Sequence, residues 1–433
     1  MNGLSEPTRT HPTGVPIHPR PFDQRVLHAT ASALILLSAC RVSGQRSAPI
    51  ETRRVSADEA AARHVDMTAL QSRLDRVLQR AVTDSAFPGA YAVVGSRSGI
   101  LARASAGWLD AQDRTAPDEH TLWDLASLTK VIALTSGVLR LSHERRIDLD
   151  APVQRYLPEW SGPNKEKVLV RHLLTHSSGL PAWRPLYKEA TSPTHALQLV
   201  FDTSLDTVPG ARMVYSDLGA ILLGQVVTRL AGMPFDQLVR RNVFEPLGMR
   251  ETLFRPAASL SPIIAPTEVD PWRQRHLRGE VHDENAFALG GMSSHAGLFS
   301  SAADLSRFAR MYLNNGTLDG TRVLDSAAIV RFTTLQSSGQ SNRALGWEKP
   351  TGSNSAGHLM SPTAFGHTGF TGTSLWIDPA NDVFILLLSN RVNPTRENRR
   401  IGAVRIAVAD AVMGAILGCA ENATVLECSG RSR

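Results

Sequence analysis

Lysine is rare in this chain. Only five of its 46 lysine and arginine residues are lysine, so arginine is the usual cation. Because a guanidinium keeps its proton near neutral pH while a desolvated amine can lose it, the few lysines are the better candidates for a general base. The chain also lacks a basic run interleaved with aromatic residues, and its formal net charge is only +6. The sequence therefore predicts no nucleic-acid partner.

Cysteine is also scarce, with only Cys40, Cys419 and Cys428. Two cysteines in the C-terminal tail without a nearby histidine do not match a zinc site. Residues 282–284 and His295 match no zinc spacing such as His-Glu-x-x-His, and we interpret them as hydrogen-bonding loop residues. The sequence therefore predicts no metal and no other cofactor. It leaves open whether Cys419 and Cys428 are joined.

No apolar run in the chain reaches the length of a membrane span. The short run at residues 29–39 ends in Leu-Ser-Ala directly before Cys40, which is similar to the signal of a bacterial lipoprotein. We expect residues 1–39 to be the signal peptide, and the long proline-rich start leaves room for a true start nearer Val26. The alternative is an ordinary export signal followed by a chance cysteine.

A lipid on Cys40 would attach the protein to a membrane through its N-terminus. The polar residues 40–66, rich in arginine, alanine and glutamate, would then be a tether. Arg41 does not supply the aspartate that retains lipoproteins in the inner membrane. We therefore expect an exported protein at the periplasmic face of the cell envelope, on the outer membrane in a Gram-negative cell.

The two ends of the remaining chain carry matching signals for a sheet with helices. Apolar residues at helical spacing over 67–83 are followed by two short apolar runs that predict a β-hairpin around residues 97–99. A second hairpin is predicted around residues 379–382, and a helix from about 396 to 417. These patterns predict an α/β fold of the α+β type, in which an antiparallel sheet from both chain ends is flanked by helices.

Between the hairpins the signals are mostly helical, from about residue 121 to 345. We expect one domain over residues 67–418, with this segment as a helical insertion, and a C-terminal tail over 419–433. No internal repeat is present.

Ser127 and Lys130 open a long apolar stretch, residues 128–141, which predicts a helix buried on most sides. Residues three apart are neighbours on a helix surface, so the amine could take the proton of the hydroxyl. The positive end of the helix dipole would favour an anionic oxygen and a neutral lysine. A position at the seam between the sheet and the insertion favours a ligand cleft. The alternative is a helix start with a solvated lysine one turn along.

Three more elements follow Ser127 and Lys130 in the chain: residues 171–181, Tyr215-Ser216-Asp217 after a Pro-Gly pair, and His367-Thr368-Gly369-Phe370. In this order the motifs are similar to those of the β-lactamase-related serine hydrolases, which include class C β-lactamases, low-molecular-weight penicillin-binding proteins and several esterases. The resemblance covers roughly residues 67–415. It implies a β-lactamase/transpeptidase-like fold.

The resemblance also implies roles for single residues. Ser127 would attack a carbonyl and form an acyl-enzyme, with Lys130 as a neutral amine base. Tyr215 would relay protons to the leaving group and to the deacylating water. The backbone N–H groups of Ser127 and Phe370 would form the oxyanion hole, and the strand at Thr368 and Gly369 would lie against the substrate.

The chain departs from the family pattern at two positions. Asp217 stands where the family's Tyr-x-Asn has asparagine, so a carboxylate either contacts the substrate or pairs with a neighbouring cation. His367 stands in place of the lysine of Lys-Thr-Gly, which weakens a fixed cation for a substrate carboxylate. Both changes leave the nucleophile intact and predict poor hydrolysis of β-lactams.

Further segments are similar to a branch with penicillin-binding-protein-4B-type proteins and muramyl-peptide amidases, namely residues 265–268, 281–286, 290–292, 295–300 and 390–398. The implied partner is a small peptide, a muramyl-peptide or an ester. The sequence therefore predicts a serine hydrolase for amide or ester bonds of cell-wall peptides. The alternatives are an esterase, a weak β-lactamase, or a catalytically idle peptidoglycan-binding protein.

Overall fold

The structure is a computed structural model that describes residues 53–56, 59, 65–110, 112, 114–336, 341–351, 354–420 and 423–429. All of these belong to one unit of the chain, residues 50–433. The expected signal peptide, the expected lipidation site at Cys40 and most of the expected tether lie outside the described residues.

The strands, in chain order, are β1 (Gly89–Gly95), β2 (Ile100–Gly107), β3 (Trp123–Asp124), β4 (Leu253–Phe254), β5 (Val269–Asp270), β6 (Arg275–His276), β7 (Leu298–Ser300), β8 (Thr317–Leu318), β9 (Thr321–Arg322), β10 (Phe365–Thr368), β11 (Ser374–Asp378) and β12 (Val383–Ser389). The α-helices are α1 (Met67–Thr83), α2 (Ser136–His143), α3 (Val170–Leu174), α4 (Leu186–Glu189), α5 (Pro193–Asp202), α6 (Asp217–Ala231), α7 (Phe235–Val239), α8 (Glu284–Ala288), α9 (Ala302–Leu313), α10 (Ser326–Thr333), α11 (Ile401–Ile416) and α12 (Val425–Ser429).

A five-stranded antiparallel sheet joins strands from the two ends of the domain, in the order β10-β11-β12-β1-β2. Its hairpins β1–β2 and β11–β12 are those that the sequence predicts. The ends meet where β1 pairs with β12, from Ala90 opposite Ser389 to Gly95 opposite Phe384. Both strands are buried along their whole length, which explains their continuous apolar sequence. The predicted mixed fold with an antiparallel sheet is confirmed.

Helices α1 and α11 cover one face of the sheet. Leu70, Leu74 and Leu78 recur at one-turn spacing on α1 and are fully buried. They pack in one apolar cluster with Ala92 of β1 and Val408 of α11. The other face of the sheet packs against the helical insertion in a larger apolar cluster, to which β1 contributes the alternate residues.

Helix α11 begins at Ile401, later than the predicted start near residue 396. The preceding segment is held in a loop by contacts with distant residues. The backbone N–H of Arg396 donates to Glu268 over 2.9 Å, and the side-chain amide of Asn398 donates to the carbonyl of Ser85 over 2.9 Å. These long-range partners compete with the helical hydrogen bonds that the local sequence favours.

The predicted helix over residues 128–141 is not uniform. A 3₁₀ turn at Ala126–Leu128 is followed by a π-helical segment at Lys130–Thr135 and then by α2. The Thr135 hydroxyl donates to the Lys130 carbonyl over 2.8 Å, five residues back along the chain. This bond supports the wide π turn, a form that recurs at functional sites.

Cys419 and Cys428 form a disulfide in the C-terminal tail, with their Cα atoms 5.4 Å apart. Among the described helices none alone is long and apolar enough to cross a membrane. The helical segments Asp217–Ala231 and Phe235–Phe244 reach the required length and apolar content only as a pair bent by 72°.

Candidate active site

The turn that carries Ser127 is fixed from both sides. Ala126 has a φ of 45°, in the left-handed region that costs energy for a residue with a side chain. The buried Asp124 carboxylate holds this conformation, because it accepts the backbone N–H of Ala126 over 2.8 Å and that of His282 over 2.7 Å. The Thr373 hydroxyl donates to the neighbouring Leu125 carbonyl over 3.1 Å. The nucleophile therefore stands on a strained, well-anchored turn.

Lys130 lies at the centre of the site, almost fully buried. Its Nζ atom donates to the Ser127 Oγ over 3.0 Å and to the His295 carbonyl over 2.9 Å. The Asp217 Oδ1 atom is 2.7 Å from the same nitrogen, and the Tyr215 ring centroid is 5.1 Å away. The structure thus brings together the four residues that the sequence places in two separate motifs.

The expected neutral amine at Lys130 is wrong for the resting enzyme. Burial by itself lowers the pKa of Lys130, but the Asp217 carboxylate and the Tyr215 hydroxyl outweigh it and raise the pKa above its ordinary value. Lys130 is therefore an ammonium. Of the two interpretations left open for Asp217, the pairing with a neighbouring cation is the one that the structure has.

Tyr215 is positioned by His176. The backbone N–H of Ser216 donates to the His176 Nδ1 over 3.1 Å, and the two rings pack with centroids 4.4 Å apart. Burial, together with the charges of Arg343 and Lys130, holds the pKa of His176 well below its ordinary value, so the ring is neutral and can accept this bond. The buried Tyr215 hydroxyl makes no hydrogen bond of good geometry among the described residues, but it lies close enough to Lys130 to raise the pKa of that amine.

A cleft of about 320 Å³ opens beside the nucleophile; it is lined by Ser127, Tyr215, Arg343, Glu348, His367, Thr368, Gly369, Phe370, Arg391 and Arg405. The predicted substrate-strand residues at 367–370 all lie in its wall. The oxyanion role of Phe370 stays a prediction. Gly369 is needed for the close approach of this strand, because a Cβ atom there would lie 2.3 Å from the Leu125 carbonyl oxygen.

His367 carries no charge in this cleft. Burial, with the charges of Arg343 and Lys130, holds its pKa well below its ordinary value. Its Nδ1 atom is 2.9 Å from the Thr368 carbonyl and must donate to it, which leaves Nε2 as an acceptor without a partner among the described residues. The positive charge that the family's lysine would supply is therefore absent from position 367.

Arginines supply positive charge to the cleft instead. Arg343 is only 7% exposed, and its guanidinium lies 5.2 Å from the Tyr215 ring centroid. In the part of the chain that the structure covers, its Nε and Nη1 atoms have no hydrogen-bond partner. Arg405 donates to the carbonyls of Gly369 and Thr373 over 2.6 and 2.8 Å, and burial with the nearby Arg391 charge lowers its pKa to about 10.

The sequence reasoning missed Arg343, Arg391 and Arg405. Arginine is the common cation of this chain, so no local pattern distinguishes these three from the others. Asp124 was also missed, although an aspartate two residues before a strained position is a local signal, since its side chain commonly accepts a backbone N–H nearby.

The segments that indicate the penicillin-binding-protein-4B-type branch converge behind the nucleophile. His282 lies 2.9 Å from Glu268, and Arg396 lies 2.6 Å from the same carboxylate. Burial alone would raise the pKa of Glu268, but these two partners outweigh it and lower the pKa to about 2. Asp283 lies 3.0 Å from the His295 ring, whose own carbonyl accepts the Lys130 ammonium. Among the described residues no group of three or more potential ligands could hold a metal ion.

Comparison with known families gives the class of this protein. A family model described as Beta-lactamase matches residues 74–409, more than half of the chain. The chain therefore belongs to the β-lactamase family, and the resemblance read from its motifs is confirmed. It is an enzyme of the serine hydrolase type.

Curated relatives carry a more particular name. A Salmonella agona (strain SL483) protein named "Putative D-alanyl-D-alanine carboxypeptidase" is 30% identical over 367 residues, which cover 76% of this chain and 84% of that protein. A Salmonella typhi protein of the same name shows the same identity and coverage.

Solved structures confirm the fold. A penicillin-binding protein homolog from Caulobacter crescentus superposes with a TM-score of 0.65 at 18% identity, over 84% of this chain and all of that one. EstCE1, described as a hydrolase with promiscuous acyltransferase activity, gives a TM-score of 0.64 at 20% identity, over 80% of this chain and 99% of the other. At such identities the likeness concerns the fold alone.

Proposed function

We propose that this enzyme is a carboxypeptidase of cell-wall peptides, which cleaves the amide bond before a C-terminal residue with a free carboxylate. The observation that carries the proposal is the buried Arg343 guanidinium in the same cleft as Ser127 and Tyr215. Leaving the buried Nε and Nη1 atoms of Arg343 without an acceptor is costly, and a substrate carboxylate would offset that cost. Arginine matches a carboxylate with two parallel hydrogen bonds. The name of the Salmonella relatives supports the same substrate class.

The Lys130–Asp217 pair would act as the general base. Ser127 Oγ attacks the carbonyl carbon while its proton passes to Lys130 Nζ, and Lys130 gives one of its own protons to Asp217. Tyr215 then protonates the leaving amine and regains a proton from Lys130, and Asp217 returns its proton to Lys130. The net result is the transfer of one proton from Ser127 to the released amino acid. Backbone N–H groups of Ser127 and Phe370 would hold the oxyanion. Water attacks the resulting ester by the reverse route and frees Ser127.

The proposal is tested with an acylated peptide ending in D-alanyl-D-alanine and the same peptide with a C-terminal amide. The free acid should be hydrolysed and the amide should not. Arg343→Gln should lower kcat/KM for the acid about a hundredfold, chiefly through KM, because it removes a charged hydrogen-bond partner. Exposed Arg145→Gln is the matched control. Equal hydrolysis of acid and amide by the parent would contradict the carboxylate recognition.

An intact-mass measurement after exposure to a penicillin separates the remaining alternatives. A persistent adduct on the parent but not on Ser127→Ala would establish Ser127 as the acylated nucleophile. Hydrolysis of simple esters with neither peptide cleavage nor an adduct would favour the esterase alternative. The absence of every activity and of any adduct would leave the peptidoglycan-binding alternative.

For the location of the enzyme we propose export and lipidation at Cys40. The proposal is supported by the signal-like sequence before Cys40 and by the Cys419–Cys428 disulfide, which suits an oxidising compartment. Cys40→Ser should move the protein from the membrane fraction to the soluble fraction. Unchanged fractionation would refute the lipid anchor.

A further inference from the structure

A row of four aromatic rings, each at least partly exposed, consists of Trp183, Tyr187, Trp272 and Phe287, and we refer to it as the aromatic shelf. Neighbouring ring centroids are 6.4, 4.7 and 5.8 Å apart. The two indoles are among the most exposed large apolar side chains of the described residues, Trp183 at 48% and Trp272 at 42%. Exposed apolar sets of this kind mark ligand-binding grooves and interaction sites.

The shelf is rigidly supported. Trp272 stands in the turn between β5 and β6, where its backbone N–H donates to Asp270 over 2.7 Å. The adjacent Arg273 is buried against the Trp272 and Phe287 rings, and it donates to the carbonyls of Val281 and His282 over 2.7 and 2.6 Å. A buried arginine that fixes an exposed indole keeps the ring in place before any ligand arrives, which reduces the entropy lost on binding.

Two short connections join the shelf to the residues that surround Lys130. Trp183 follows Ala182, whose carbonyl accepts the backbone N–H of Asp217 over 3.0 Å. Asn285 accepts the backbone N–H of Tyr187 over 3.3 Å, and it lies two residues from Asp283, the partner of His295. The shelf is therefore attached to the segments that carry Asp217 and Asp283, whose side chains flank Lys130 directly or through His295. Arg343, in contrast, reaches the site across the face of Tyr215.

We propose that the aromatic shelf binds the amino sugar of a muramyl-peptide substrate; this inference rests on the proposed carboxypeptidase function. If Arg343 holds the carboxylate beyond the scissile bond, the rest of the substrate must extend away from Arg343. In a muramyl-peptide that part ends in a pyranose ring. The ring's C–H face packs well on an indole, while its hydroxyl and amide groups need polar neighbours.

Charged side chains around the shelf suit a sugar better than a lipid or a protein. Lys188 lies 5.7 Å from the Tyr187 ring centroid, and Glu280 pairs with both Arg273 and Arg275. A membrane or an apolar protein surface would have to desolvate these charges, whereas a sugar can hydrogen-bond with them. A stable protein interface would also need about 1,000 Å² of buried area, more than two exposed indoles provide.

The decisive experiment compares two substrates in the full mature chain: the stem peptide alone and the same peptide carrying its N-acetylmuramyl group. Trp272→Ala should lower kcat/KM about tenfold for the muramyl-peptide and leave the free peptide unchanged. Trp108→Ala removes an equally exposed indole outside the shelf and is the matched control. An equal loss on both substrates, with an unchanged melting temperature, would overturn the proposal.

A binding measurement keeps this proposal separate from the proposed catalytic function. In Ser127→Ala, titration with the peptide-free disaccharide of N-acetylglucosamine and N-acetylmuramic acid should change tryptophan fluorescence, and the Trp272→Ala double variant should lose the change. Sugar binding without any peptidase activity would defeat the carboxypeptidase proposal alone. No sugar binding, or a Trp272→Ala effect only on oligomeric state or on binding to anionic vesicles, would defeat the shelf proposal.

Discussion

The charge of Lys130 depends on Asp217, which stands where the family pattern has an asparagine. An asparagine at position 217 would leave only Tyr215 to oppose burial, which lowers the pKa of Lys130. The carboxylate of Asp217, 2.7 Å from the amine, raises this pKa instead and keeps the proton within the pair. A proton that leaves Ser127 can then be accepted without first deprotonating Lys130 to solvent.

Asp217→Asn should therefore change the pH dependence of catalysis. Without the carboxylate, the pKa of Lys130 falls, and the variant needs the neutral amine, so its kcat/KM should rise from neutral to alkaline pH. The parent should show no such rise. At neutral pH we expect the variant to be at least about tenfold slower. The measurement is kcat/KM against pH for both proteins, and superimposable profiles would contradict the proposed role of the pair.

At the scale of single residues, the sequence predicts which residues are catalytic better than it predicts their charge. Ser127, Lys130 and Tyr215 can be found from motifs because their chemistry needs fixed residue types at fixed spacings. The charge of Lys130 cannot, since it depends on packing against Asp217, far away in the chain. Arg343 carries no motif signal, because only the folded structure places it over the Tyr215 ring.

At the scale of elements, the predicted hairpins were found because their apolar strands are bounded by local turn residues. The predicted helix after Ser127 is interrupted by a π segment, which depends on hydroxyl groups bonding carbonyls five residues back. Helix α11 starts late because Glu268 and other distant groups hold the segment before it. In both cases a tertiary contact overrides the local propensity.

The end of strand β10 gives a prediction at this scale. A Cβ atom at Gly369 would lie 2.1 Å from the Thr373 hydroxyl and 2.3 Å from the Leu125 carbonyl oxygen. Gly369→Ala should therefore push the strand away from the nucleophile turn and lower kcat at least about a hundredfold. Gly402→Ala is the control, because nothing lies within 4 Å of its Cβ position in α11. Full activity of Gly369→Ala would show that this close approach is dispensable.

For the whole molecule, buried neutral histidines make stability depend on pH. The folded-state pKa of His176 lies well below its ordinary value, so the unfolded chain alone takes up a proton as pH falls through about 6.5. The contribution of His176 to the free energy of unfolding is therefore present above about pH 6.5 and is lost as the pH falls below it. Asp304, whose pKa burial raises to about 7, acts in the opposite direction.

His176→Asn isolates the histidine contribution, because an amide oxygen can still accept the Ser216 N–H. Between about pH 7 and about pH 5, the melting temperature of the parent should fall more than that of the variant. Asp304 is present in both proteins and cancels in the comparison. Thermal unfolding at the two pH values measures the difference, and an equal fall in both proteins would exclude His176 as the cause.

The pairing of β1 with β12 also determines when the enzyme can first work during its synthesis. The strand that follows α1 must wait for residues 383–389, which are synthesised long after it, before it has a partner on that side. Such distant pairing is slow to form. The substrate strand at 365–368 reaches the nucleophile turn equally late. A chain that stops before these strands therefore cannot align Ser127, and the reactive serine stays inactive until residues 365–389 have been made.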